Sequence, residues 1–333
     1  MEDTITSCEL IIVFLKLERA YKLNRWRKRK MRIKKLLCMS LSIMAIAGGI
    51  VGCGSDTSST SGTTTGTAAV TATKSSISGT VIGSGSSALL PLAQNAADKF
   101  KESYPNISVT LNAGGSGTGL KQVADGTVDI GNSDVEAASK LEAAQASTLV
   151  DHKVCVITMA PVVNKDVAAT VKSLTKQQLV DIFTAKITNW KDVGGPDEKV
   201  ILVTRPTTSG TRALFKQYAL NNTDEASNAS LETDDSGTLL QNVSDNKGAI
   251  GYVALSYLVN NTKVSTVAID GVDPTIANTY SGKYPVWGYE HMYTKGAPKE
   301  AVKAYLDYIL SSDYATQIEA QGYCVTSKMQ VSR

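Results

Sequence analysis

Three segments of the sequence place small hydroxyl residues and glycines where chemistry with an anion is possible. They are Gly83-Ser84-Gly85-Ser86-Ser87, Gly114-Gly115-Ser116-Gly117-Thr118-Gly119 and Arg205-Pro206-Thr207-Thr208-Ser209-Gly210-Thr211. In each, a strand-like run ends, a Gly/Ser/Thr turn follows, and a helical pattern begins. A helix start presents unpaired N–H groups and the positive end of the macrodipole, so each segment is a potential anion seat. Glycine allows close approach to the backbone, and hydroxyls add donors without charge. One such loop is ordinary N-capping; three, with an Arg in the third, form a less common set. Ser236-Gly237-Thr238 has the same composition but reads as capping alone, since nothing beside it suggests a ligand.

The elements that must position these loops alternate between β-branched runs and helical spacing, the pattern of an α/β fold with mainly parallel sheets. Gly79 to Ile82 reads as a strand, followed by a helix with Leu89, Leu92, Ala93, Ala96, Ala97 and Phe100 on one face and Ser86 or Ser87 as its cap. Ile107 to Leu111 and Val128 to Gly131 read as strands flanking a helix that carries Leu120 and Val123. Val154 to Val163 is a continuous apolar run that fits a buried strand. Thr175-Lys176-Gln177-Gln178 is a capping box opening a helix to Phe183. Val200 to Thr204 and Ala249 to Val253 are strands of a second series, with helices through Leu214 and Tyr218 and after Ser236; Pro298 to Leu310 and Tyr314 to Ile318 are closing helices. Two αβ lobes of comparable size with no long linker imply a cleft between them.

Charge along the 333 residues is uneven. Residues 1–52 hold 11 Lys+Arg against 4 Asp+Glu, a balance of +7, while 53–333 hold 23 against 27, a balance of −4. No dense basic stripe marks the body, which argues against nucleic acid as a partner. From Met31 the chain runs Met-Arg-Ile-Lys-Lys, then 16 residues from Leu36 to Val51 that are mostly apolar, then Gly52-Cys53. A basic start, a short apolar centre and a small-residue end make a secretory signal, too short for a span of about 20 residues. Translation is therefore expected to start at Met31, with residues 1–52 as leader. Residues 54–76 contain 17 Ser, Thr or Gly out of 23, and 53–76 read as a flexible tether. Cys155 and Cys324 remain in the body, in apolar contexts that favour buried free thiols over a disulfide. Five cysteines without a C-x-x-C pair and two histidines exclude the usual zinc frameworks.

Ile50-Val51-Gly52-Cys53 resembles the bacterial lipobox, which implies cleavage before Cys53, its acylation, and a body held at the outer face of the cytoplasmic membrane. From about Ile77 onward the chain resembles the phosphate-binding proteins of bacterial phosphate ABC transporters. The matching stretches are Gly83 to Leu92, Gly114 to Gly117, Val128-Asp129-Ile130-Gly131-Asn132-Ser133-Asp134, Asp181-Ile182-Phe183 with Lys186 to Trp190, Arg205 with Ser209-Gly210-Thr211-Arg212, and Ala249 to Val253. The resemblance implies the type II periplasmic-binding-protein fold: two αβ lobes joined by two crossovers, with the ligand in the cleft. Lobe 1 is then 77–160 plus 284–333 and lobe 2 is 161–283, the chain crossing near Ala160 and near Lys283-Tyr284-Pro285.

The same resemblance implies phosphate contacts at Ser87, the backbone of Ala88, Ser116, Asp134, Arg205, Ser209, Gly210 and Thr211. Arg205 can donate a bidentate pair. Asp134 accepts only, so it needs a ligand that carries a proton; phosphate does at neutral pH, sulfate does not. The family often has an acid between the Arg and Ser-Gly-Thr that orients the guanidinium. Here Pro206-Thr207-Thr208 stands there, so another acid or backbone carbonyls must hold Arg205. Arg212 reads as an exposed first-turn residue. The expected partners are inorganic phosphate and a membrane permease, for a monomer without cofactor or metal. A serine hydrolase would need a base beside Ser87 or Ser209; His152 reads as a loop residue, His291 as part of the return segment, and no Gly-x-Ser-x-Gly elbow is present. No Gly-Lys-[Ser/Thr] follows a Gly-rich loop, so a Walker A site is excluded too. A third reading keeps the binding fold but changes the ligand to another tetrahedral oxyanion, bound or sensed, or makes the protein a sensor rather than a feeder.

Overall fold

The computed structural model describes residues 76–226 and 230–333. The leader, Cys53 and all of the tether but Ser76 lie outside the described residues. Within the body, hydrophobic periodicity becomes eleven described strands and ten α-helices. In the first part, β1 (Gly79–Gly85), α1 (Leu90–Ser103), β2 (Ile107–Ala113), α2 (Ser116–Asp125) and β3 (Ile130–Ser133) are followed by the short α3 (Ala143–Ala146). β4 (Leu149–Asn164) then leads to α4 (Lys165–Ala168), β5 (Ser173–Leu174) and α5 (Lys176–Phe183). Next come β6 (Ile201–Thr204), α6 (Gly210–Tyr218), β7 (Ser230–Glu232), α7 (Ser236–Asp245) and β8 (Ala249–Ala254). β9 (Val264–Thr266), β10 (Ala268–Ile269) and α8 (Ile276–Tyr280) precede β11 (Trp287–Lys295), α9 (Glu300–Ile309) and α10 (Ser312–Ala320). Among the described residues no helix is long and apolar enough to cross a membrane.

The main sheet runs β2-β1-β3-β11-β4-β8-β6-β7, with β9 also paired to β4. β1, β2 and β3 are parallel, as are β6, β7 and β8. β4 and β11 are antiparallel to each other and stand between the two parallel groups. β4 is 16 residues long and changes partner midway: Thr158 pairs with Trp287 of β11, and Met159 with Ala254 of β8. One strand therefore serves two αβ lobes.

The longer helices bury the stripes their spacing dictates. α1 turns Leu92, Ala93, Ala96, Ala97 and Phe100 inward, and α2 turns Leu120 and Val123 inward. Thr175 and Gln178 form the reciprocal capping box that starts α5, satisfying two orphan donors. The first-lobe and second-lobe helices share one large apolar cluster that runs through β4. Cys155 and Cys324 are buried free thiols.

Two features differ from the sequence reading. β11 was not foreseen: Trp-Gly-Tyr-Glu-His-Met-Tyr-Thr-Lys mixes polar and aromatic residues, yet it lies mid-sheet with nearly every side chain buried. The loop expected around His152 is instead the start of β4, where His152 Nε2 lies 3.2 Å from Thr294 Oγ1. His291 is also buried, with Nδ1 2.8 Å from Asp151 Oδ1, so neither histidine approaches a serine of the Gly-rich loops.

Candidate functional site

Five strands deliver their C-terminal ends to one place. β1 ends at Gly85 before Ser86 and Ser87, β2 at Ala113 before Gly114 to Ser116, and β3 at Ser133 before Asp134. β6 ends at Thr204 before Arg205, and β7 at Glu232 before Asp234 and Ser236. Open α/β sheets bind ligands outside the carboxyl ends of their strands, and here two such sheet edges face each other. The side chains of Ser87, Ser116, Asp134, Arg205, Ser209 and Thr211 are all buried.

The turn geometry explains why those residues are small. Gly85 has φ +135°, and a Cβ there would collide with the Asn132 carbonyl of β3, so only glycine lets β1 turn beside β3. Gly210, at the first position of α6, would drive a Cβ into Ser116 Oγ and to 2.9 Å from Asp134 Cβ. The N-termini of α2 and α6 therefore abut directly, one from each lobe. Gly117 N–H donates to the Thr208 carbonyl at 2.9 Å and Lys140 Nζ to the Thr207 carbonyl at 2.7 Å, closing the same seam.

Arg205 is fully buried and held from three sides. Nη1 donates to Ser236 Oγ at 3.0 Å, Nη2 to Ser87 Oγ at 3.2 Å and to the Asp234 carbonyl oxygen at 2.6 Å. Asp234 Oδ1 lies 3.9 Å from Nη2. The acid absent from the Arg205 to Ser209 stretch is thus replaced by Asp234, which contributes a carboxylate and a backbone acceptor from the β7–α7 connection. Arg205 Nε has no hydrogen-bond partner among the described residues and remains available to an anion. Ser87 Oγ lies 2.9 Å from Ser236 Oγ, so the two hydroxyls and the guanidinium form one network.

Opposite this network stands Asp134. Its N–H donates to Ser116 Oγ at 3.0 Å, and its Oδ2 accepts from Thr211 Oγ1 at 2.8 Å. Ser209 Oγ accepts from Arg212 N at 3.2 Å as the cap of α6. Ser116 and Ser209 therefore use lone pairs in these bonds and keep their hydroxyl hydrogens for another acceptor. The Gly210 and Thr211 N–H groups lie in the first turn of α6, where a helix has no internal acceptor.

Some residues stand differently from their sequence reading. Ala88 N–H donates to Ser86 Oγ at 3.1 Å, as does Leu89 N–H, because Ser86 caps the turn into α1; the Ala88 donor is already in use. Ser236 is no mere cap. Asp235 caps α7, freeing the fully buried Ser236 hydroxyl for Arg205 and Ser87. Arg212 is mostly buried, donating from Nη1 to the Arg205 carbonyl at 2.5 Å and standing 3.4 Å from Glu225 Oε2. Tyr257 OH donates to the Ser87 carbonyl at 2.7 Å, a contact without a local sequence signal. Ser236 was within reach of sequence reasoning, since it follows a strand end as the three recognised loops do. Among the described residues no group of three or more His, Cys, Asp or Glu is placed to hold a metal ion.

The family model for the PBP superfamily domain matches residues 60–313. The phosphate-binding protein PstS of Bacillus subtilis is 48% identical over 257 residues, covering 77% of this chain and 84% of that one. The chain belongs to the phosphate-binding protein family. More distantly, PstS of Pseudomonas aeruginosa is 29% identical over 277 residues, covering 75% and 84% of the two chains. A Clostridium perfringens substrate-binding protein with bound phosphate superposes with a TM-score of 0.67 at 30% identity, over 74% of this chain and 100% of that one. An ABC-type phosphate transport receptor from Vibrio cholerae gives 0.58 at 26%, over 74% and 99%. The chain has the α/β type II periplasmic-binding-protein fold, with two αβ lobes.

Proposed function

We propose that this protein binds inorganic phosphate outside the cytoplasm and delivers it to the permease of a phosphate ABC transporter. The observation that carries this is the pairing of opposites in one buried seam. Arg205, the hydroxyls of Ser87, Ser116 and Ser209, and the first-turn N–H groups of Gly210 and Thr211 offer donors, while Asp134 offers only acceptors. Such a seam suits an oxyanion that still carries a hydrogen, and a site built on that bond discriminates against analogues lacking it by about 10⁴-fold. Ser87, Ser116, Asp134, Arg205, Ser209, Gly210 and Thr211 are the contacts, with Ala88 sharing a hydrogen already given to Ser86. Ser236 and Asp234 join them as the residues that hold Arg205.

Capture is a hinge closure, in which contacts from both lobes to one anion favour the closed form. Lobe 1 is 77–160 with 284–333 and lobe 2 is 161–283, a division supported by the change of partner along β4 at Thr158 and Met159. The protein is a carrier and not an enzyme, a monomer tethered by an acylated Cys53 at the outer face of the cytoplasmic membrane. Titration calorimetry of the purified chain with phosphate, sulfate and arsenate tests the reading. Phosphate and arsenate are expected to bind and sulfate to give no heat; silent phosphate with a sulfate response would refute it.

A further inference from the structure

The residue directly opposite Asp134 is another buried acid. β3 and β11 pair antiparallel, with His291 opposite Ser133 and Met292 opposite Asn132. One step further along the same register brings Glu290 across from Asp134. Glu290 is completely buried, and neither Oε1 nor Oε2 has a donor among the described residues. Asp134 Oδ1 is equally buried and equally without a donor. A β-bulge falls at this point: in the β11–β4 pairing Glu290 is opposite Cys155 while His291 is opposite Lys153, so one residue of β4 is extra. Bulges re-aim side chains next to functional sites, and this one stands where a glutamate enters a sheet interior.

Two ionised carboxylates cannot share a water-free site; like charge and lost hydration both drive one of them to keep its proton. The groups that face Glu290 are Asp134, the Cys155 thiol on β4 and the Tyr323 phenol after α10, none of which supplies positive charge. Burial and the Asp134 charge both push the Glu290 carboxyl well above its usual range. Asp134, by contrast, already accepts a hydrogen bond from Thr211 Oγ1 at Oδ2, so it serves as the acceptor of the pair. One hydrogen placed between the two acids serves Asp134 Oδ1 and one of the two Glu290 oxygens.

We propose that Glu290 is a protonated positioning residue, donating its carboxyl hydrogen to Asp134 Oδ1 and so holding Asp134 as the ionised acceptor for the ligand's proton. The proposal rests on the phosphate reading and deepens it. Asp134 rejects a proton-free oxyanion only while it has no proton of its own to donate. With Glu290 keeping the dyad's single hydrogen, Asp134 presents lone pairs alone. Without Glu290, Asp134 Oδ1 is left buried with no donor to fix it, and the carboxyl loses the orientation that distinguishes a proton-bearing oxyanion from sulfate.

Two substitutions separate this role from packing. In Glu290→Gln the amide N–H replaces the carboxyl hydrogen, so phosphate affinity should stay within about threefold and sulfate rejection should persist. In Glu290→Leu the volume is kept but the donor is lost; phosphate affinity should fall about tenfold or more, and the phosphate-to-sulfate ratio should shrink. Infrared difference spectra, ligand-free wild type minus Glu290→Gln, taken at about pH 8.5 where Glu225 has ionised, should show the carbonyl stretch of a neutral carboxylic acid, shifted in heavy water. The wild type should also lose phosphate affinity on the alkaline side, as Glu290 ionises, and Glu290→Gln should not. Absence of the neutral-acid band, or a Gln variant as weak as the Leu variant, would overturn the proposal. The band is read without ligand, so its presence in a chain that gives no heat with phosphate would support the dyad and refute the phosphate reading.

Discussion

Asp134 and Arg205 divide the work of recognition at the residue scale, and their supports are unequal. Arg205 is gripped by the Asp234 carbonyl at 2.6 Å, whereas the Asp234 carboxylate lies at 3.9 Å with its side chain 48% exposed. Exposed ion pairs contribute about 0–1 kcal/mol, so Asp234→Asn should weaken phosphate binding by less than about fivefold in calorimetry. Arg205→Lys removes the planar fork that reaches Ser87, Ser236 and Asp234 together. A loss of about 2 kcal/mol, near thirtyfold in affinity, is expected for that change, with far-UV circular dichroism unaltered. Asp134→Asn replaces an acceptor by an amide that can donate. Phosphate binding should weaken about tenfold and sulfate rejection should relax; unchanged selectivity would remove Asp134 from its assigned role.

Contacts between elements set how closely the two lobes can approach, and glycine is the limiting residue. Gly210 lies against Ser116 and Asp134 across the seam between α6 and α2, so Gly210→Ala should leave each lobe folded but hold them apart. Small-angle scattering should then show no compaction with phosphate, while the thermal midpoint of the ligand-free protein stays within a few degrees of wild type. These loops were legible because composition states their requirement: glycines for close backbone approach, hydroxyls for donors, an apolar helical stripe immediately after. The capping box of α5 and the buried run of β4 were legible for similar local reasons. β11 was not, because a strand buried on both faces normally reads as continuous Val, Ile and Leu. Several of its polar members find tertiary partners instead, such as Asp151 for His291 and Ala137 N–H for Tyr293 OH, while Glu290 is left without a donor. Asp234 escaped for the complementary reason: its importance comes from Arg205, 29 residues away, and no local pattern encodes that distance, whereas Ser236 shows the composition of the recognised loops and reads in the sequence as capping alone.

For the molecule as a whole, the balance of −4 in residues 53–333 means that long-range attraction does not explain an affinity for anions. The field that matters is local, set by Arg205 and helix N-termini that converge across the cleft. Behind that cleft, stability carries its own pH dependence. Burial raises the Glu225 carboxyl from 4.5 to about 7, against the opposing effects of Tyr252 and Arg212; Asp224 and Glu232 push the same way as burial. An acid that holds its proton more tightly in the folded state stabilises that state at low pH. The contribution is lost as pH rises from about 4.5 through about 7, an effect of at most about 3 kcal/mol. Urea midpoints should accordingly fall between about pH 5 and about pH 8, and Glu225→Gln should flatten the fall. The place of β11 has a consequence for synthesis. The last strand to be made lies between β3 and β4, so these two strands are not neighbours and nothing joins them until Trp287 to Lys295 emerges. The first lobe therefore cannot complete its sheet while the chain is being made. The strands of the second group, β6, β7 and β8, precede β11 and can pair with one another and with β4, so the first lobe is the part that stays open longest. Chains cut before Trp287 should stay protease-sensitive over residues 79–133 however long they are left, whereas the intact chain should gain protection there in a single late step.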